Sequence, residues 1–314
     1  MFSYLPKRVG EKMKRIVSIS LGSSKRNHQV TVSFGDEIFY LERVGTDGNK
    51  AKAIDLLHQL SGKVDAFGLG GTDLYIYAGE KRYTFRESKE FVKAAGSTPI
   101  VDGSGLKNTL ERRVVKNLQK DKIIDFTNLP VLLVCGVDRF GMASALHQLK
   151  SDLVFGDLLF GLGVPIAIRN IAYLNKFAHI LAPIITKLPI RYFYPIGKKQ
   201  EERKPKFSVY FNQAKVIAGD FHFIRRYMPK DLSEKIILTN TVTSADKALL
   251  HSAGAQMLIT TTPEFAGRSF GTNMMEAMLV ASRNINQKIL TSKDYDKLLK
   301  EFDMQPHIQY FNKK

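Results

Sequence analysis

Apolar and polar positions change their period several times along the chain, and each change marks an element. Residues 15–21, RIVSISL, are a β-branched run that predicts a strand, and the alternating segments HQVTVSF and EIFYLERV, joined through Gly35 and Asp36, predict a hairpin. Ala51, Ile54, Leu57 and Leu60 fall on one helical stripe. A buried strand over VDAFGLGG follows, then a hairpin turning at Gly79, a helix over ESKEFVKAA and a strand over PIVDGSG. This mixture predicts an N-terminal α/β domain with a mixed sheet over residues 1–125.

From residue 126 the pattern becomes strand, turn, helix, strand. Pro130 opens VLLVC, a run suited to a strand covered on both faces; residues 136–141 read GVDRFG, residues 142–149 continue as a helix, and LVFGD ends at Asp157. Alternation resumes later with VIAGD, FHFIRRYM ended by Pro229, KIILTNT, SADKALLHSAG and MLITTT. Ser244 is the expected cap of the fourth of these, and Gly254 its stop. A helix over residues 272–282, capped by Thr272 or Asn273, and an amphipathic TSKDYDKLLKEF that packs back on the first domain complete the chain. Strands separated by helices imply a parallel sheet with its ligand crevice at the carboxyl ends. The fold class is therefore α/β: a mixed-sheet domain, then a Rossmann-like parallel-sheet domain over residues 126–314.

Residues 158–206 interrupt that alternation as a helical insertion. Pro165, Pro183, Pro189 and Pro195 predict short helices broken at each proline, while Arg169, Lys176, Lys187 and Arg191 punctuate the apolar surface. These basic amphipathic pieces suit a lid, a peripheral membrane contact, inter-domain packing or a homo-oligomer interface, and GKKQEERKPK reads as an exposed loop. The longest uncharged run, residues 158–168, is well short of the ~20 residues that span a bilayer.

The chain of 314 residues carries 47 Lys and Arg against 30 Asp and Glu, a formal charge of +17 that favours an anionic partner, although no specific nucleic-acid motif is present. A single cysteine, Cys135, excludes an intramolecular disulfide and a thiolate metal cluster, and no metal site is predicted. With an amino terminus that lacks a secretory pattern, a cytoplasmic protein is expected.

The turn supplies the candidate cofactor residues. Gly136 permits a tight turn, Gly141 a close approach of helix to strand, and the helix amino terminus faces a pyrophosphate. Asp157, 21 residues beyond Gly136, stands where such folds place the carboxylate that accepts ribose hydroxyls. Asp138 occupies the position that usually holds the middle glycine, where it crowds and repels a pyrophosphate unless Arg139 beside it compensates. With Phe140, Thr239 and Asn240 on the same edge, these residues form the expected dinucleotide site.

Asp102 and Lys107 bracket a glycine-rich loop and are candidates for an acid/base pair, or for an ion pair closing a turn. His222, just past a strand end, is the titratable group nearest neutrality, and Arg225 and Arg226 could meet an anionic substrate. The loop of Gly22, Ser23, Ser24, Lys25 and Arg26 could present amides and cations to a phosphate.

The stretches VDAFGLGGTDLY, VDGSGLKNTLERR, GDFHFIRRYMP and ITTTPEFAGRSFGTN, and the spacing between them, resemble a bacterial family described as quinate or shikimate 5-dehydrogenase-like. The resemblance implies an oxidoreductase using NAD or NADP on a small, anionic hydroxy substrate held between domains; the catalytic Lys and Asp motifs of shikimate dehydrogenases are not matched, and Lys107 and Asp102 would fill those roles only by their position in the first domain. The residues leave a second reading open, a non-catalytic nucleotide-sensing or scaffold protein with a basic, membrane- or partner-facing surface.

Overall fold

The computed structural model describes residues 13–79, 81–188, 203–265, 268–283 and 290–311. The first half holds β1 (Lys14–Ser20), β2 (His28–Phe34), β3 (Glu37–Gly45), α1 (Lys50–Leu60), β4 (Ala66–Gly70), β5 (Tyr75–Ala78), β6 (Lys81–Thr84), α2 (Ser88–Ala95), β7 (Ile100–Val101) and α3 (Ser104–Lys120). Their main sheet runs in the order β2-β3-β1-β4-β7 and is mixed: β2 is antiparallel to β3, while β3, β1, β4 and β7 are parallel. β5 and β6 form a separate antiparallel hairpin.

The second half contains β8 (Pro130–Leu133), α4 (Phe140–Gln148), β9 (Asp152–Phe155), α5 (Ile171–Ile185), α6 (Ser208–Gln213), β10 (Val216–Gly219), α7 (Phe221–Tyr227), β11 (Ile236–Thr239), α8 (Ser244–Ser252) and β12 (Met257–Thr260). After them come the short pair β13 (Glu264–Phe265) and β14 (Arg268–Ser269), then α9 (Thr272–Ser282), α10 (Ser292–Glu301) and β15 (His307–Tyr310). The sheet order is β15-β12-β11-β10-β8-β9, parallel except for β15. β9 lies on one side of β8 and β10 on the other, so the chain reverses direction across the sheet at β8. Parallel sheets of this kind take their ligands at that switch point, outside the carboxyl ends of the strands.

Three apolar layers hold the molecule together. α1 and α2 cover one face of the first sheet through Leu57 and Phe91 against Val17, Ile19 and Phe67. α6, α7 and α8 cover the outer face of the second sheet. Between the sheets lies a continuous core in which Leu110 and Val114 of α3, Leu146 of α4 and Met275 and Met278 of α9 meet both inner faces. Each such side chain contributes on the order of 1.5–3 kcal/mol by leaving water.

α9 packs across β1, β4 and β7, and α10 packs on α3. The sheet following residue 126 is Rossmann-like, and α9 and α10, which follow the expected boundary at residue 125 in sequence, pack on elements that precede it. α10 does pack back as its amphipathic pattern predicted, with Phe302 just beyond it stacked on Phe34 at 5.1 Å.

Other local expectations differ in detail. Pro183 lies inside α5, in its last turn, rather than ending the helix. The cap of α8 is Thr243, not Ser244; its hydroxyl accepts from the Asp246 amide while the Asp246 carboxylate accepts from the Thr243 amide. Gly271 is the residue before α9, and neither Thr272 nor Asn273 caps it. β15 was not anticipated, since four half-exposed residues at a sheet edge carry little pattern. Pro189, Pro195, Arg191, most of the GKKQEERKPK loop and the first twelve residues lie outside the described residues. Among the described residues no helix is long and apolar enough to cross a membrane.

Candidate functional site

The carboxyl ends of the parallel strands of both sheets face one another across a cleft that encloses a cavity of about 320 Å³. Ser18 and Ser20 leave β1 into it and Asp102 leaves β7; from the other side come the turn after β8, Asp220 and His222 after β10, and Asn240 after β11. The amino end of α9 closes one side. α5 forms an apolar wall with Phe177, Leu181 and Ile185, and packs through Ala178 and Ala182 on Ala78 of the first domain's hairpin. The insertion thus reaches across from one domain to the other.

All three candidate catalytic residues, Asp102, Lys107 and His222, line this cavity. The expected pairing is different, however. Asp102 does not bond Lys107; its carboxylate accepts from the amides of Leu74 at 2.6 Å and Ser104 at 2.9 Å and from the Ser104 hydroxyl at 2.8 Å. It anchors the start of α3, and burial pushes its carboxyl up. Lys107 instead donates to Asp138 at 2.6 Å, joining α3 to the turn after β8. Burial pulls the Lys107 ammonium down, but Asp138 and Asp73 outweigh it and hold it above its usual range. Lys107 is therefore a charged proton donor at neutral pH.

His222 accepts from, or shares a proton with, Arg26 Nη1 at 3.2 Å across the cleft. Burial lowers its imidazole despite the opposing pull of Asp220, so the ring is neutral near pH 7 and Nε2 acts as the acceptor toward the guanidinium.

The turn is built differently from a dinucleotide fingerprint. Asp157, expected to face a ribose, turns back onto the turn itself: Oδ2 accepts from the Gly136 amide and Oδ1 from the Val137 amide, each at 2.9 Å. Its carboxylate stands where a ligand phosphate would receive those amides, and burial raises its carboxyl to about 6 against the opposing pull of the two amides. Asp138 is engaged by Lys107 and so does not aim a free charge along the turn.

Arg139, expected to compensate Asp138 at a phosphate, is 2% exposed and is consumed by protein carboxylates. It bonds Glu111 of α3, meets Asp220 Oδ2 at 2.9 Å and lies 3.8 Å from Asp138. This guanidinium ties α3, the turn and β10 into one knot. Burial alone would lift the Asp220 carboxyl, but neighbouring His222 and Arg139 hold it at about 2.

Gly141 serves helix–helix contact rather than helix–strand contact: a Cβ there would lie 2.0 Å from the Asn108 carbonyl oxygen of α3. Phe140 lines a small crevice with Tyr75 and Asn108 outside the main cavity. Thr239 is fully buried and donates to the Gly219 carbonyl at 2.7 Å, so it supports the edge without facing a ligand. Asn240 faces the cavity and steadies Asp220 by donating at 3.1 Å. Arg225 pairs with Asp246 at 3.2 Å. In the loop after β1 the Ser24 amide donates to Asp47 at 2.7 Å, and Arg26 from that loop turns into the cleft.

Three residues of the site were not singled out from the sequence, and a fourth, Asn273, was expected only as a helix cap. Arg43 lines the cavity and bonds Ser20 Oγ at 3.0 Å, and Glu111 anchors Arg139. Glu276 of α9 accepts from the Gly103 amide at 2.7 Å and from the Tyr295 hydroxyl; burial, then the Asp102 charge, lift its carboxyl to about 8. Asn273 donates to Ser18 Oγ at 2.8 Å. Gly103, at φ 92°, lets this junction close, since a Cβ would lie 2.6 Å from the Asn273 amide. An acidic residue within an apolar helix, as at Glu276, was the one available signal.

No curated protein matches the sequence. Solved structures similar to the chain include an ABC transporter solute-binding protein from Burkholderia multivorans, 11% identical over 96% of this chain and 99% of that one, with a TM-score of 0.37. An NAD-dependent malic enzyme from Thermotoga maritima is 12% identical over 92% and 83%, with a TM-score of 0.35. A galactofuranose-binding protein is 11% identical over 92% and 98%, with a TM-score of 0.36. Residues 15–102 match the family described as Domain of unknown function (DUF8753). Residues 105–311, most of the chain, match Domain of unknown function (DUF8754), and the protein belongs to that family.

Proposed function

We propose that the protein is an NAD(P)-linked oxidoreductase acting on a small hydroxylated anion held in the inter-domain cleft. The reading is carried by Lys107, a charged and nearly buried ammonium between the first domain and the turn at the switch point of the second sheet. Arg26 and Arg43 on the first-domain side favour an anionic group, while Asp102, Asn240 and the serines of β1 offer partners to hydroxyls. This matches the substrate class implied by the resemblance to quinate or shikimate 5-dehydrogenase-like proteins.

The dinucleotide fits on one condition. The Gly136 and Val137 amides would hold its pyrophosphate only after Asp157 has released them, which protonation near pH 6 makes cheap. When bound, the nicotinamide supplies or accepts hydride. Lys107 gives its proton to the substrate oxygen that becomes a hydroxyl, and takes it back in the reverse direction, with Asp138 holding the ammonium in place.

A second reading, ligand sensing without turnover, is favoured by the occupied turn: with Asp157 on its amides the site binds a small anion and excludes a pyrophosphate. Nicotinamide absorbance with NAD and NADP and a panel of hydroxy acids separates the two. Under the first reading a member of the panel turns over, and Lys107→Met lowers kcat by about 10²-fold or more while leaving KM within severalfold. Small-anion binding with no turnover by any pair establishes the second reading.

A further inference from the structure

α5 has two apolar faces, and among the described residues only one is packed. Its inner side packs through Leu174, Ala178 and Ala182 and lines the cavity with Phe177, Leu181 and Ile185. On its outer side Tyr173 and Ile180, each 66% exposed, and Ile184, 54% exposed, form a stripe at helical spacing. Lys176 falls on the same stripe and Lys187 lies two residues beyond the helix end, and both are exposed. The segment leading into the helix exposes Leu162, Val164 and Ile166, and Leu188 follows it. Seven of the eleven large hydrophobic residues exposed among the described residues therefore lie between positions 162 and 188. Such a concentration marks an interaction surface rather than ordinary scatter.

We propose that this surface docks on an anionic lipid bilayer, lying in the interface without crossing it. Charge selects the occupant. Residues 158–188 contain Arg169, Lys176 and Lys187 and no Asp or Glu, within a chain of net charge +17. In a two-fold pairing of this face with a second copy, like residues approach one another, and these lysines would meet cations with no carboxylate of the stretch to neutralise them. Anionic headgroups neutralise the same lysines while the interfacial layer takes the isoleucines and Tyr173. Docking would set the apolar wall of the cavity one helix diameter, ~10 Å, from the lipid.

Flotation of the full chain with phosphatidylglycerol-rich and pure phosphatidylcholine vesicles tests this. The protein is expected to float with the anionic vesicles and to be released by high salt. Ile180→Glu with Ile184→Glu should abolish flotation, and Lys176→Gln with Lys187→Gln should reduce it about tenfold or more. All four side chains are exposed, so circular dichroism should be unchanged in both variants. No flotation, equal flotation with both lipids, or undiminished flotation of the isoleucine variant overturns the proposal. So does light scattering that finds a dimer dissolved by Ile180→Glu with Ile184→Glu, which would assign the face to a second copy.

Discussion

Asp157→Asn tests whether the glycine turn carries its own internal anion. In the folded protein this carboxyl rises from 3.8 to about 6, chiefly by burial at 7% exposure. At ~1.36 kcal/mol per tenfold change in proton affinity, the ionised form is disfavoured in the fold by roughly 3 kcal/mol. Because the native pKa lies above the unfolded one, the native state keeps a proton that the unfolded chain releases. The associated stability is complete below pH 3.8 and is lost as pH rises through about 6.

Asparagine removes that titration but has one oxygen for two amides, so one of Gly136 and Val137 loses its acceptor at a cost of about 1–3 kcal/mol. Urea unfolding followed by circular dichroism should therefore find the variant close to wild type near pH 4.5, where the protonated carboxyl likewise offers the two amides one acceptor, and more stable than wild type near pH 8, where wild type carries the buried charge. The difference between the two should move by roughly 2 kcal/mol across that window, because the unfolded carboxyl is already largely ionised at pH 4.5. A difference independent of pH within about 0.5 kcal/mol refutes the buried, ionising Asp157. The same substitution takes an anionic competitor off the turn, so NADH affinity at pH 8 should rise about tenfold or more. A weakened affinity would instead restore Asp157 to the ribose.

Two further substitutions examine the frame of the cleft. Glu276→Gln should abolish a loss of stability that wild type shows as pH rises from 4.5 through about 8, amounting to about 5 kcal/mol at most; matched urea midpoints for the two proteins at both pH extremes would contradict it. Gly141→Ala should destabilise the protein by about 3 kcal/mol or more, read as a lower urea midpoint, because the new methyl meets backbone of α3 rather than a yielding side chain.

The β8–α4–β9 unit was legible because an apolar run, a glycine turn and a helical stripe follow one another within one short stretch. So was the placing of Asp138, Asp157 and His222 along one edge, since each follows a strand of the second sheet and a parallel sheet brings such ends together; that Asp102 and Lys107 of the first domain face them across the cleft was not. Partners were not legible. Lys107 chooses Asp138 over Asp102, and Arg139 finds Glu111 of α3, because tertiary packing of α3 on α4 sets those distances. Likewise, the apolar pattern of α9 announces burial on every side but not that the buried helix crosses the first sheet. The turn's spacing signalled a carboxylate at Asp157 and left open which way it would point; the two turn amides decide that.

The most direct measurement is calorimetric titration of NADH and NADPH into the full chain at about pH 6 and about pH 8. The oxidoreductase account predicts that one dinucleotide binds, and binds more tightly at the lower pH, where Asp157 takes a proton and yields the amides of Gly136 and Val137. Absence of binding by both dinucleotides at both pH values would contradict it and leave the cleft to a small anion alone.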